Sequence, residues 1–140
     1  MKALLQIATL LRAGQLYNHH CHNNATGATF FSDHQYFGDT YSALEGDYDG
    51  CIERYIGLCK MPADTVAIAA NATDLISDMP LQPGEGNHNF FTASLKLEEA
   101  LSKLLNDVCS SKLPEGTKQF LGDIADKSEK RQYFLTQRLK

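Results

Sequence analysis

At 140 residues the chain is long enough to bury the core of one domain and too short for several. Its formal net charge of -4 excludes a protein that holds nucleic acid by bulk positive charge. The four cysteines, Cys21, Cys51, Cys59 and Cys109, form no CxxC pair and no disulfide-framework spacing, so a reducing, cytoplasmic setting is expected.

Residues 2–23 place Leu4, Ile7, Leu10 and Leu11 at helical spacing and predict a first helix. Gln6, Arg12 and Gln15 make this stretch too polar for a signal peptide or a spanning helix, so no membrane partner is expected. Without a secretory signal, the sequons Asn24-Ala25-Thr26 and Asn71-Ala72-Thr73 carry no weight. Ala25-Thr26-Gly27 reads as a short break. A second helix is predicted over 28–58, with Phe30, Phe37, Tyr41, Leu44, Tyr48 and Ile52 as its apolar and aromatic positions. Gly38, Gly46 and Gly50 lie inside it, each costing about 1 kcal/mol against Ala. They suggest close approach by another backbone, or an unoptimised helix.

The connection over 59–89 is less regular. Ala63 to Ser77 has the pattern of a short helix, and Met79-Pro80 to Gly86 is a breaker region. A third long helix is predicted over 90–111, on the stripe Leu97, Leu101, Leu104, Leu105 and Val108. After the turn Leu113-Pro114-Glu115-Gly116, Thr117 is placed to cap a last helix over 117–139, carrying Leu121, Ile124, Phe134, Leu135 and Leu139. Four long helices with two short connections and one long one predict an all-α bundle with a crossover, as in the ferritin-like folds, with a short extra helix inside the crossover.

Metal-ligand side chains stand out in the first half: His22, His34, Asp49 and Glu53, spaced H-x11-H-x14-D-x3-E, with Arg54 next. Imidazole and carboxylate together suit a non-haem iron site open to an oxidant. No three of the four share one helical turn, so two or more helices must build the site. A lone helical histidine is usually a satisfied surface or core residue. His22 and His34 are set apart by their joint spacing with the two acids. His19 and His20 are expected at the surface or behind the ligands, His88 is expected to be exposed, and Arg54 is expected to pair with a nearby carboxylate. Cys21, beside His22, would bring in zinc or copper, but helical neighbours point about 100° apart. Phe30, Tyr36, Phe37 and Tyr41 read as interface and core aromatics.

Suppose the second helix packs antiparallel on its own copy about a two-fold axis. Paired positions then sum to a constant, as an isologous interface requires. Pairing His34 with Glu53 also pairs Gly38 with Asp49. Asp49 and Glu53, at i and i+4, share one face, and His22 can complete the cluster.

The run from His22 through Gly27, Phe30 and His34, followed by Asp49 to Glu53-Arg54, resembles the signature of the Dps family of mini-ferritins. The end of the chain resembles it too, from Glu115-Gly116-Thr117 to Leu121 and through Glu129-Lys130 to Tyr133-Phe134-Leu135, with Tyr133 where the family usually has Trp. The resemblance implies a hollow homo-oligomeric shell, a dodecamer built from two-fold dimers. It also implies Fe(II) oxidation at inter-subunit sites, with hydrogen peroxide the preferred oxidant, followed by iron storage that protects against oxidative damage. It makes His22, His34, Asp49 and Glu53 both the catalytic residues and the iron ligands. Iron would enter through acidic three-fold pores, for which Glu115, Asp123 and Asp126 are candidates.

The chain departs from the family at one ligand. Where the family commonly has Asp four residues after the second His, this chain has Gly38, with Asp39 beside it. Asp39 is a further candidate ligand, but one helical step turns it about a quarter-circle away. One tight iron position and a weaker second one are therefore expected. No ExxH motif falls inside a predicted helix, the Glu85 to His88 run lying in the breaker region, which argues against a larger ferritin with its site inside one bundle. The chain starts directly into its first helix near Lys2 and ends at Arg138-Leu139-Lys140, so DNA binding is expected to be weak or absent at physiological salt. The alternatives are a catalytically weak shell protein and a DNA-protecting Dps-like protein.

Overall fold

The computed structural model describes residues 1–140, and every regular element is helical. Five α-helices follow in order: α1 (Lys2–Asn24), α2 (Phe30–Cys59), α3 (Thr65–Ile76), α4 (His88–Cys109) and α5 (Glu115–Arg138). The four long helices are those the apolar spacing predicts, and α3 lies in the long connection, giving the ferritin-like bundle with its extra crossover helix. A 3-10 turn at Glu85–Asn87, which the spacing does not reveal, leads into α4. Thr117 does not cap α5. Pro114 occupies the N-cap position without a side-chain bond, and Thr117 is buried in the first turn. The cap that does form is Asp64 on α3, whose carboxylate accepts from the Ala67 amide at 2.9 Å.

The order of packing follows from where the apolar residues fall. Leu4, Ile7 and Leu11 of α1 cluster with Leu44 to Ile52 of α2, Leu101 to Val108 of α4, and Leu121 and Ile124 of α5. Tyr17 and Cys21 cluster with Phe37, Phe90, Phe91, Leu97 and Leu135 at the other end. The start of α1 thus meets the ends of α2 and α4, so both run antiparallel to it and parallel to each other. A parallel pair cannot be joined by a tight turn, hence the crossover carrying α3. Between the two apolar clusters lies a polar layer. Asn18 accepts from Ser94 at 3.2 Å, and Glu98 receives Arg131 Nε at 2.6 Å, Arg131 Nη2 at 3.2 Å and the Ser128 hydroxyl at 2.7 Å.

Side chains fasten α2 to α5 along their length. Lys127 pairs with the buried Asp47 at 2.5 Å, and the Arg54 guanidinium lies 4.4 Å over the Phe120 ring. Arg54 is therefore held by an aromatic face within the chain, where a carboxylate was expected. No helix of the chain is long and apolar enough to cross a membrane.

At the far end, Asp33 gathers the bundle. Its carboxylate accepts from Arg138 Nη2 at 2.9 Å, Asn87 Nδ2 at 2.8 Å and the Thr29 hydroxyl at 2.7 Å. Asn87, fully buried at φ 59°, also exchanges bonds with Thr26 N and O at 3.0 and 2.8 Å. One carboxylate thereby ties the α1–α2 loop, the crossover and the end of α5. Burial alone would raise the Asp33 pKa. The bonds from Arg138, Thr29 and Asn87, with the Arg138 charge, outweigh burial and hold it below the ordinary carboxylate value. A lowered folded-state pKa stabilises above the unfolded value of about 3.9 and is lost as pH falls through the folded one. Asp33→Ala should cost about 1.5–3 kcal/mol at neutral pH, the range for hydrogen bonds to a charged group. The deficit should shrink on acidification below about pH 4. Melting curves across that range check both the size and the sign.

Candidate metal centre

Two imidazoles meet where α1 ends and α2 begins. His22 Nδ1 donates to the His34 backbone carbonyl at 2.8 Å, and His34 Nδ1 donates to the His22 carbonyl at 2.7 Å. A carbonyl oxygen only accepts, so each Nδ1 carries the proton. In the neutral ring the lone pair then sits on Nε2, the tautomer that ligates metal. The rings stack with centroids 3.7 Å apart and planes at 21°, and Phe30 stacks on the outer face of His34 at 4.9 Å. Both imidazoles are fixed in place and partly exposed, with neither Nε2 bonded within the chain.

This local structure follows from the loop between the helices. Ala25 closes α1 in an extended conformation, and Gly27 takes φ 91°, which a Cβ would strain. The turn folds α2 back along α1 within a few residues, bringing positions 22 and 34 side by side.

Asp49 and Glu53 are exposed on α2, and each side chain is free of bonds within the chain. Fifteen residues of helix separate His34 from Asp49, about 22 Å. Within one chain, no group of three or more His, Cys, Asp or Glu side chains comes close enough to hold a metal ion. The chain therefore presents an imidazole pair where α1 meets α2, and a carboxylate pair far along α2.

The neighbouring candidates are also placed. Asp39 accepts from Gln35 at 2.9 Å and borders the α2–α5 groove beside Tyr36 and Phe134, away from His22. Cys21 is fully buried against Phe90 and Leu97, and burial pushes its thiol well above the ordinary range, so it lies in the core. His19 stacks on Tyr41 at 4.1 Å and is exposed, as is His88. His20 serves the fold: its Nε2 meets the Leu81 carbonyl at 2.9 Å, next to the Tyr17 hydroxyl on Pro80 at 2.8 Å. All four cysteines are free thiols. Glu115, Asp123 and Asp126 are exposed on the first half of α5, and Glu115 lies 3.5 Å from Lys118.

The bundle centre holds no second imidazole–carboxylate set. Larger ferritin-like carboxylate proteins place metals among inward Glu and Glu-x-x-His residues. Here the inward Glu98 is paired with and neutralised by the Arg131 guanidinium, both side chains under a tenth exposed.

No family model matches the sequence, and no curated protein matches it. The structure is similar to the crystal structure of a DPS protein from Vibrio cholerae O1, a member of a broad superfamily of ferritin-like diiron-carboxylate proteins. The TM-score is 0.70, the identity 21%, and the match covers 99% of this chain and 87% of that one. The chain has the ferritin-like fold of a Dps protein. The Dps-type likeness runs through all five helices and rests on shape, since so few residues are shared.

The clasp makes a testable statement about the free protein. In metal-free protein at mildly alkaline pH, side-chain nitrogen NMR should show the Nδ1–H tautomer for both His22 and His34. Protonation at Nε2 on either ring would contradict the geometry.

Proposed function

We propose that the chain assembles as a homo-oligomeric Dps-like shell that binds Fe(II), oxidises it with hydrogen peroxide and stores the ferric product. In this reading His22 and His34 of one subunit and Asp49 and Glu53 of a second copy form each site, with two sites per two-fold dimer. The observation that carries it is the His22–His34 clasp. It fixes two imidazoles with their ligating nitrogens free, and a chain that builds half a site this firmly needs the other half.

Other features support the same reading. Pairing α2 antiparallel with its copy so that His34 faces Glu53 also sets Gly38 opposite Asp49. Gly46, near the middle of such a pairing, has no neighbouring atom within 4 Å of an added Cβ, which leaves room for another helix. Phe31, Ile56, Met61 and Val66 are large apolar side chains left exposed on α2, α3 and the turn between them, and association would cover them. The shell is taken as a dodecamer from the sequence resemblance.

The chemistry asked of the protein is modest. The carboxylates favour the ferric product by charge, the imidazoles complete the coordination, and open positions admit peroxide. Two Fe(II) ions give up one electron each, and one peroxide takes both, breaking its O–O bond to two hydroxides. We place Asp39 outside the site. We assign Glu115, Asp123 and Asp126 to the iron entry route, where three copies of the start of α5 would meet. With a net charge of -4, DNA binding is expected to be weak at physiological salt.

Anaerobic mixing of the assembled protein with Fe(II), followed by peroxide, tests the reading. Wild type should show a fast oxidation phase. The His34→Ala, Glu53→Ala double variant should lose it by a factor of at least about 100, equivalent to a few kcal/mol. Equally slow traces for both proteins would make the site vestigial.

A further inference from the structure

Position 38 departs from the family resemblance as an apparently missing ligand, yet the structure gives it a neighbour. A Cβ on Gly38 would lie 2.9 Å from His22 Nδ1 and 3.0 Å from its Cε1. Contacts this short force something to move. The ring is no free end. Its Nδ1 is bonded to the His34 carbonyl at 2.8 Å, it stacks on His34 at 3.7 Å, and Tyr41 meets it edge-on at 5.4 Å. Moving the Nδ1–Cε1 edge away from α2 loosens the bond that holds the proton on Nδ1.

We propose that Gly38 is the positioning residue of the histidine pair: the missing Cβ forms the seat in which the His22 imidazole is held with Nε2 open to a divalent first-row metal ion. The proposal rests on the reading of His22 as a ligand. On this account the chain has not lost a ligand at position 38. A side chain at 38 and His22 in its present pose exclude each other, so in this chain a carboxylate at 38 displaces the imidazole from its seat. Helix propensity supports this view. Glycine is a poor helix former, and Gly38 sits mid-helix in α2, where its neighbour on α1 explains it.

The test uses the full-length assembled protein and Co(II) alone as the probe, read by its visible absorption, with melting midpoints of the metal-free protein as an independent readout. Wild type, Gly38→Ala, His22→Ala and the Gly38→Ala, His22→Ala double variant form a cycle. Gly122→Ala serves as control, because a Cβ there meets nothing within 4 Å and α5 carries none of the ligand residues. Gly38→Ala should weaken Co(II) binding by about 10–100-fold, the range for losing a ligand's support, and lower the midpoint. In the His22→Ala background the same change should raise the midpoint, because the clash is gone and only helix propensity remains. Gly38→Asp should also lose Co(II) affinity. Wild-type Co(II) binding by Gly38→Ala, an equal fall in midpoint with and without His22, or tighter binding by Gly38→Asp would each overturn the proposal. Unchanged Co(II) binding by His22→Ala would instead overturn the ligand reading, and the metal-free midpoints would still decide whether Gly38 seats the ring.

Discussion

Two hydrogen bonds, exchanged between the imidazoles of His22 and His34 and each other's backbone carbonyls, set the geometry on which the proposed site depends. Each bond does two things. It fastens the end of α1 to the start of α2, and it assigns the ring proton, leaving the outer nitrogen free. In net terms each bond is worth about 1 kcal/mol, so the clasp is a minor part of the folding free energy. Its larger effect is on orientation: two stacked rings with fixed tautomers lose little freedom when a metal ion binds. The Gly27 turn brings the two rings together, and the missing Cβ at Gly38 leaves room for the His22 ring.

The bundle supports this arrangement by dividing its interior into layers. Apolar clusters at both ends supply the burial that drives folding. The level between them is polar, and there Arg131 faces Glu98 with bidentate geometry. A buried pair of this kind contributes little net stability, because desolvation offsets attraction, but breaking it leaves an uncompensated charge. The His22–His34 pair, at the α1–α2 junction, and the Asp49–Glu53 pair, on the surface of α2, stand about 22 Å apart. The Asp33 network closes the same end of the bundle as the clasp, holding the loop before α2 against the end of α5.

Much of this was legible in the chain. The leucine stripes of α1 and α4 have helical spacing, the breaker at Met79-Pro80 marks the crossover, and the spacing from His22 to Glu53 singles out four ligand-type residues. What escaped was set by contacts between distant residues. Nothing local distinguishes Asp33 from a surface acid until Arg138 and Asn87 arrive from the far ends of α5 and the crossover. Arg54 lay beside acids in sequence, yet Phe120 offered it a ring across the bundle. Thr117 had the type of a capping residue but sits one turn too deep, because Pro114, with its φ already set, starts α5 earlier. Gly38 and Gly50 were legible as close approaches. What approaches, however, is a ring in each case, His22 and Phe120, where the sequence suggested another backbone or an unoptimised helix.

The central claim is that each site is shared between two copies, and complementation tests it most directly. The His22→Ala, His34→Ala variant and the Asp49→Ala, Glu53→Ala variant should each be inactive in Fe(II) oxidation. Unfolded together in equal amounts and reassembled, they should recover about one quarter of the wild-type rate, because half the dimers are mixed and each carries one intact site. A mixture as inactive as its components, in shells shown to contain both variants, would contradict a site shared across the two-fold.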